Sequence, residues 1–520
     1  MQTKQVFYKT IFITMAIFLF SHSPLSARIS TVKVTGGIIE GSTEDGISSF
    51  KGIPFAAPPI GDLRWRAPQP VIPWEGIKQT REFAPGPVQD TEFGAVLGGP
   101  QIVSEDCLYL NVWTGAKKPD EKRPVMVWIY GGGFGTGMTS TPLYDGASLA
   151  KKGVVLVSVA YRLGPFGFLA HPELSKETGK GSGCYGIQDQ IAGIKWVNEN
   201  IANFGGDPSN ITIFGESAGA KSIGFIVTSP MAKGFFHRAI SQSGGAAAPP
   251  VYTLKEAEAM GKDYLSRVGA DDIRSARSLS AEQIQSGTKG SGDFRPVPDG
   301  RTIVDDPYEL LETGNYNDTP ILIGTNSDEG GLFLKEEITK ETFKQYVEKK
   351  LGPGMDALLK VYPHTTDAEA IRSAKDIIRE YGYAWSTFNW AELHSGNGRN
   401  RAFVYYYDHR TPAYPEGANH ASELAYVFDN LMSMPDQPEN FPGPEDKALS
   451  DLLTSYWINF AKNGDPNGPG LPFWPPFDKK ERKTMFFDEN PSARPHPNLE
   501  KIRTFDVYFS KRRKEVKSER

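Results

Sequence analysis

The 520-residue chain contains only two cysteines, Cys107 and Cys184. A disulfide framework therefore cannot be what holds it together. No Cys/His group stands at metal-ligand spacing, so the sequence calls for no metal and no cofactor. No apolar run reaches the roughly 20 residues that span a bilayer. Stable membrane insertion is not expected. An excess of either sign of charge is also lacking, with 57 basic and 62 acidic residues and a formal net of −5. The one basic stretch, Lys511-Arg512-Arg513-Lys514, is mixed with Glu515 and Glu519 and reads as a solvated tail. Nothing points to nucleic acid as a partner. There is no Pro/Ser-rich linker and no repeat, so residues 28–520 read as one domain.

Residues 1–27 have the make-up of a secretory signal peptide. Lys4 and Lys9 give a positive start, Ile11 to Phe20 an apolar core, and Leu25-Ser26-Ala27 a small-residue cleavage site. The alternative is an uncleaved N-terminal anchor. Cleavage near Ala27 removes two lysines and no acid, so the charge moves from −5 to −7. A periplasmic or secreted location follows as an expectation.

The richest local signal is Gly215-Glu216-Ser217-Ala218-Gly219. Ile211-Thr212-Ile213-Phe214 before it reads as a strand, and Ala220 to Val227 after it as a helix. A serine at the apex of a strand–turn–helix corner is a nucleophile elbow, whose turn lifts the hydroxyl clear of the sheet. Glycines two before and two after leave room for that turn. Upstream, Val125 to Ile129 leads into Tyr130-Gly131-Gly132-Gly133-Phe134-Gly135-Thr136-Gly137. Such a run lets backbone N–H groups approach a substrate oxygen that gains negative charge. A phosphate loop would end in Gly-Lys-Ser/Thr, which is missing. A dinucleotide site wants an acid after the next strand, but Val154 to Val159 ends in Ala160-Tyr161-Arg162.

Strand-like and helix-like stretches alternate from Val125 to Gly330, which predicts an α/β fold with a parallel sheet between helices. Ile187–Ile201 reads as a helix and Pro320–Gly324 as a strand. Residues 338–396 are helix-rich, with Ile371, Ala374, Ile377 and Ile378 at helical period. Arg401–Tyr407 returns as a strand, and Asp451–Lys462 closes as a helix.

Several longer motifs carry a resemblance: Phe50-Lys51-Gly52-Ile53-Pro54-Phe55-Ala56, Leu63-Arg64-Trp65, Ser104-Glu105-Asp106-Cys107-Leu108-Tyr109-Leu110-Asn111-Val112, Tyr161-Arg162-Leu163-Gly164 and Phe204-Gly205-Gly206-Asp207-Pro208. Near the end stand Tyr456-Trp457-Ile458-Asn459-Phe460-Ala461 and Gly464-Asp465-Pro466-Asn467-Gly468. Together they resemble the type-B carboxylesterases, which include cholinesterases and bacterial para-nitrobenzyl-type esterases. The resemblance implies an α/β-hydrolase fold, with a mostly parallel central sheet and long insertions around the site. In that family the cysteine matching Cys107 usually bonds one upstream, and this chain has none there. Cys184 stands where relatives commonly carry Asn. Both cysteines read as small buried apolar residues.

In α/β-hydrolases the chain order is serine, acid, histidine. After Pro320–Gly324 come Asp328 and Glu329, and strand-end position alone does not separate them. The family's Asp-Glu-Gly pattern puts the role on Glu329. Among the eight histidines, His409 and His420 follow this region as rivals. The family's His-Gly-x-Glu pattern matches at His420, although Ala421 replaces the glycine. The resemblance implies oxyanion donors at Gly132, Gly133 and Ala218, and supporting roles for Glu216 and Ser243. Tyr130 replaces a common histidine.

The expected activity is hydrolysis of neutral short to medium acyl esters through an acyl-enzyme on Ser217. The substrate is a small molecule; oligomeric state is not readable. The rivals are a non-catalytic adhesion protein on the same fold, and an interfacial lipase with Phe93-Gly94-Ala95-Val96-Leu97 as lid. No tryptophan lies between Glu75 and Ser104, where cholinesterases hold the choline cation. Phe134, Phe166, Phe333, Trp385 and Phe388 are candidates for an apolar pocket or for core.

Overall fold

The structure, a computed structural model, describes residues 29–90, 102–248, 251–288, 294–353, 355–434, 437–438 and 441–518. The expected leader and the candidate lid at 93–97 lie outside the described residues. An 11-stranded sheet organises the chain. Its strands are β1 (Ser42–Glu44), β2 (Ile47–Pro54), β3 (Tyr109–Thr114), β4 (Arg123–Ile129), β5 (Val155–Val159) and β6 (Gly206–Glu216). They continue as β7 (Arg238–Gln242), β8 (Ile321–Asn326), β9 (Ala402–Tyr407), β10 (Lys483–Phe487) and β11 (Ser492–Pro495). Across the sheet the order is β11-β10-β9-β8-β7-β6-β4-β5-β3-β2-β1.

From β5 through β10 every pairing is parallel, and both margins are antiparallel. A parallel sheet needs both faces covered, so its strands carry near-continuous apolar runs. All five residues of β5 and all six of β8 and β9 are buried. The covering helices are α1 (Tyr185–Asn200), α2 (Ala218–Thr228), α3 (Asp367–Arg379), α4 (Trp385–Asn397) and α5 (Pro444–Asn463). Between α3 and α4 the helix passes through a π turn, Glu380–Ala384. Within α3, Ala374, Ile377 and Ile378 are buried, but Ile371 is 40% exposed and sits off the expected stripe.

Motifs far apart in sequence turn out to grip one another. The Arg64 guanidinium forks onto both carboxylate oxygens of Glu105, at 2.7 and 2.5 Å. Arg162 does the same to Asp189 inside α1. Trp65 donates to the Pro165 carbonyl, and Asn111 to Ser158. Bidentate arginine–carboxylate pairs fix geometry as well as charge. Cys107 and Cys184 are free thiols in the core, pushed well above the ordinary thiol range by burial first and then by nearby carboxylates. No helix among the described residues is long and apolar enough to cross a membrane.

Candidate active site

The elbow forms where β6 ends and α2 begins. Ser217 joins them at φ 54° and ψ −118°, a conformation that costs a non-glycine residue about 1–3 kcal/mol. Its N–H is held by the Gln242 carbonyl at 2.9 Å, at the end of β7. The glycine run after β4 lies alongside. A Cβ on Gly131 would sit 2.7 Å from Glu216 Oε2 and 3.0 Å from Ser217 Cβ. Gly132, at φ 100°, backs onto the Thr136 carbonyl, while space in front of Gly133 is open. Among the described residues, the N–H groups of Gly132, Gly133 and Ala218 donate to no protein acceptor. Three donors without a protein acceptor among the described residues thus lie in the glycine run and at the first residue of α2. Tyr130 is buried and stacked on Tyr161 at 4.6 Å, away from that role.

The acid and base come from β8 and from the loop after β9. Glu329 Oε2 lies 2.5 Å from His420 Nδ1. Its other oxygen accepts from Ser243 Oγ at 2.6 Å and from the Asn326 N–H at 2.7 Å. Asp328, one residue earlier, points elsewhere. It faces Lys375 at 3.3 Å and Arg372 at 3.8 Å. His409 is likewise engaged elsewhere, on Asp446 at 2.9 Å. The loop carrying His420 is anchored by the Asp328 N–H to the Ala418 carbonyl, and by Ser327 Oγ to the Ala418 N–H. Ala421 follows at φ 67°, the left-handed conformation that explains why a glycine suits this position.

Glu216 sets an oxygen 3.0 Å from His420 Nε2. The imidazole therefore stands between two buried carboxylates. Burial alone drives an imidazole down, yet His420 is held well above its ordinary value. Tyr383 lies against the ring at 4.8 Å but is itself pushed up to about 12 by burial, so it is a neutral phenol at pH 7. The carboxylates of Glu216 and Glu329 are what favour the imidazolium.

Glu423, three residues after His420, completes a second layer that the sequence reading passed over, although the His-x-x-Glu spacing marked it. It accepts from Gln242 Nε2 at 2.9 Å and Asn326 Nδ2 at 2.6 Å. Burial, then the Glu216 charge, pushes it up to about 7. Of the aromatic candidates, Phe134, Phe166, Trp385 and Phe388 are core. Phe333 alone of the five packs on His420, at 5.0 Å, and it is 41% exposed. Tyr383 was not anticipated; the π turn brings it there.

The sheet order, the elbow and the acid and histidine at the strand ends define an α/β-hydrolase. Residues 26–505 match the carboxylesterase family. The chain belongs to that family and is a carboxylic ester hydrolase. It is 37% identical over 483 residues to a fumonisin B1 esterase from Sphingopyxis macrogoltabida, covering 88% of this chain and 87% of that one. It is 34% identical over 498 residues to the para-nitrobenzyl esterase of Bacillus subtilis, covering 89% and 96%. Among solved structures, a thermophilic para-nitrobenzyl esterase superposes with a TM-score of 0.82 at 32% identity, over 91% of this chain and 99% of that one. A Geobacillus stearothermophilus carboxylesterase gives 0.81 at 33%, over 92% and 100%.

Proposed function

We propose that the protein is a secreted serine esterase, processed near Ala27, that works through an acyl-enzyme. The observation that carries this reading is the 2.5 Å bond between Glu329 and His420 Nδ1, beside a serine held in an elbow. Ser217 Oγ attacks the ester carbonyl. His420 Nε2 takes the hydroxyl proton and Glu329 stabilises the resulting imidazolium. The former carbonyl oxygen becomes an anion facing the N–H groups of Gly132, Gly133 and Ala218, where one donor is typically worth ~3–4 kcal/mol. The C–O bond to the alcohol breaks, and His420 gives that oxygen its proton. Water, deprotonated by His420, then releases the acid and restores Ser217. Neutral esters with short to medium acyl groups are the expected general substrates.

Ser217→Ala tests the reading. It should lower turnover of 4-nitrophenyl butyrate at least a thousandfold, roughly the scale of losing a triad member, in a protein with unchanged circular dichroism. Organophosphate labelling at any other serine refutes it.

A further inference from the structure

Lys221 carries a charge that ester hydrolysis leaves unused. It stands one turn into α2, its N–H donating to the Ser217 carbonyl at 2.9 Å. Its Nζ lies 5.4 Å from the centroid of Tyr383, the ring that packs on His420. One ring, that of Tyr383, thus lies against both the ammonium and the imidazole of His420. Among the described residues Lys221 has its contact with the Tyr383 ring and makes no ion pair and no hydrogen bond through Nζ. The one charged group that acts on it is another cation, Arg295. Arg295 also acts on Tyr381 and Tyr383, so its charge reaches the same rings; it is half-buried and without an ion pair among the described residues.

Two partly buried cations of like sign, with no acid between them among the described residues, repel one another in the free protein. Burial, then Arg295, pulls Lys221 down to about 8, which leaves it mostly charged at pH 7. The carboxylates of Glu216, Glu329 and Glu423 are not among the charges acting on it, so they do not neutralise it. Among the described residues no acid supplies a counter-charge, and a bound carboxylate would supply one. An ester with a carboxylate a few bonds from its carbonyl would bring one when its carbonyl reaches Ser217, since one helical turn is about 5.4 Å.

We propose that Lys221 and Arg295 form a carboxylate-binding subsite, and that the preferred substrates are esters carrying a free carboxylate on the acyl or the alcohol part. This rests on the reading of Ser217 as nucleophile and narrows the substrate class. Neutral esters are still turned over, without the gain from the subsite.

The test is a pair of specificity ratios. One compares kcat/KM for monobutyl glutarate with butyl 5-methylhexanoate, which puts the carboxylate on the acyl side. The other compares 4-(butanoyloxy)butanoate with 4-methylpentyl butanoate, which puts it on the alcohol. At least one ratio should be about tenfold or more, the scale of one charge-assisted hydrogen bond. It should fall severalfold in Lys221→Met and in Arg295→Met, and survive in Lys221→Arg. General damage lowers both members of a pair and leaves the ratio at the wild-type value. Ratios at or below one for the wild type, or unmoved in both methionine variants, overturn the proposal. Calorimetry with glutarate on Ser217→Ala separates the two readings. Binding that Lys221→Met abolishes supports the subsite even if Ser217 proves not to be the nucleophile. Hydrolysis that depends on Ser217 without such binding or preference leaves the esterase and removes the subsite.

Discussion

Glu216 and His420 are 3.0 Å apart, with the carboxylate on the imidazole nitrogen opposite the one that Glu329 holds. With Ser217 and His420 in the proposed roles of nucleophile and base, the residue next to the nucleophile is placed to raise the charge on the base. Neutral imidazole is the active form, so a raised value moves the acid limb of kcat/KM to higher pH. Glu216→Gln removes one of the two negative charges, lowers the His420 value and should shift that limb to lower pH. A profile over pH 5–9 reads the shift directly. An unmoved or upward-moving limb means that Glu216 does not tune the base.

The close neighbours in sequence should separate sharply in function. Glu329→Gln and His420→Ala should each remove most activity, the acid by as much as ~10⁴ if the histidine tautomer is lost. Asp328→Asn and His409→Ala should keep much of it, because their partners are Lys375 and Asp446. Steady-state rates on 4-nitrophenyl butyrate decide. Comparable losses at Asp328 and Glu329 would assign the acid wrongly.

At Ala421 the backbone is left-handed at φ 67°. Substitution should follow the order Gly, Ala, Val in stability. Ala421→Gly should be neutral or mildly stabilising, since relief of strain is offset by a lost methyl and a freer unfolded chain. Ala421→Val should cost about 2 kcal/mol or more, because a β-branched side chain clashes there. Denaturant midpoints give the ranking, and a tolerated valine would show that the loop relaxes.

Choline esters should be poor substrates. The loop before Cys107 has no tryptophan to receive the cation, a contact worth up to about 2 kcal/mol when desolvated. Lys221 and Arg295 add repulsion. Butyrylcholine should therefore have a lower kcat/KM than 3,3-dimethylbutyl butyrate. A tenfold preference for the choline ester would reveal another aromatic cation site.

Both thiols should be inert in the native protein. Cys107 and Cys184 are fully enclosed, and Cys184 Sγ points at the Val297 carbonyl at 2.9 Å. A thiol reagent should titrate neither quickly, and both after denaturation. Fast labelling of one would mean that its pocket opens.

The strands and the elbow were legible because their signals are local: five or six apolar residues, then a glycine corner. β8 and β9 lie within a residue or two of where their apolar runs placed them. Glu329 needed more than position, since Asp328 shares the strand end. The difference lies in Lys375 and Arg372, which approach from α3 and neutralise Asp328. Ile371 was misplaced because one side of α3 is taken by that charged network. Tyr383 was invisible because periodicity assumes 3.6 residues per turn. Lys221 reads in sequence as one more helix residue; its lack of an acidic partner among the described residues is a property of the packed chain.

The π turn at Glu380–Ala384 has a consequence for chain length. Such a turn holds more residues per revolution than the α-helix on either side. Deleting a single residue there would let α3 run into α4 at regular pitch. Side chains downstream would then rotate by about 100° about the axis, since 3.6 residues make a turn. Tyr383 would swing off His420, and Lys221 would lose the ring it packs on. This stretch should accept exchanges of side chain more readily than a one-residue gap. A homologue shorter by one at this point would have to assemble its substrate wall from other residues.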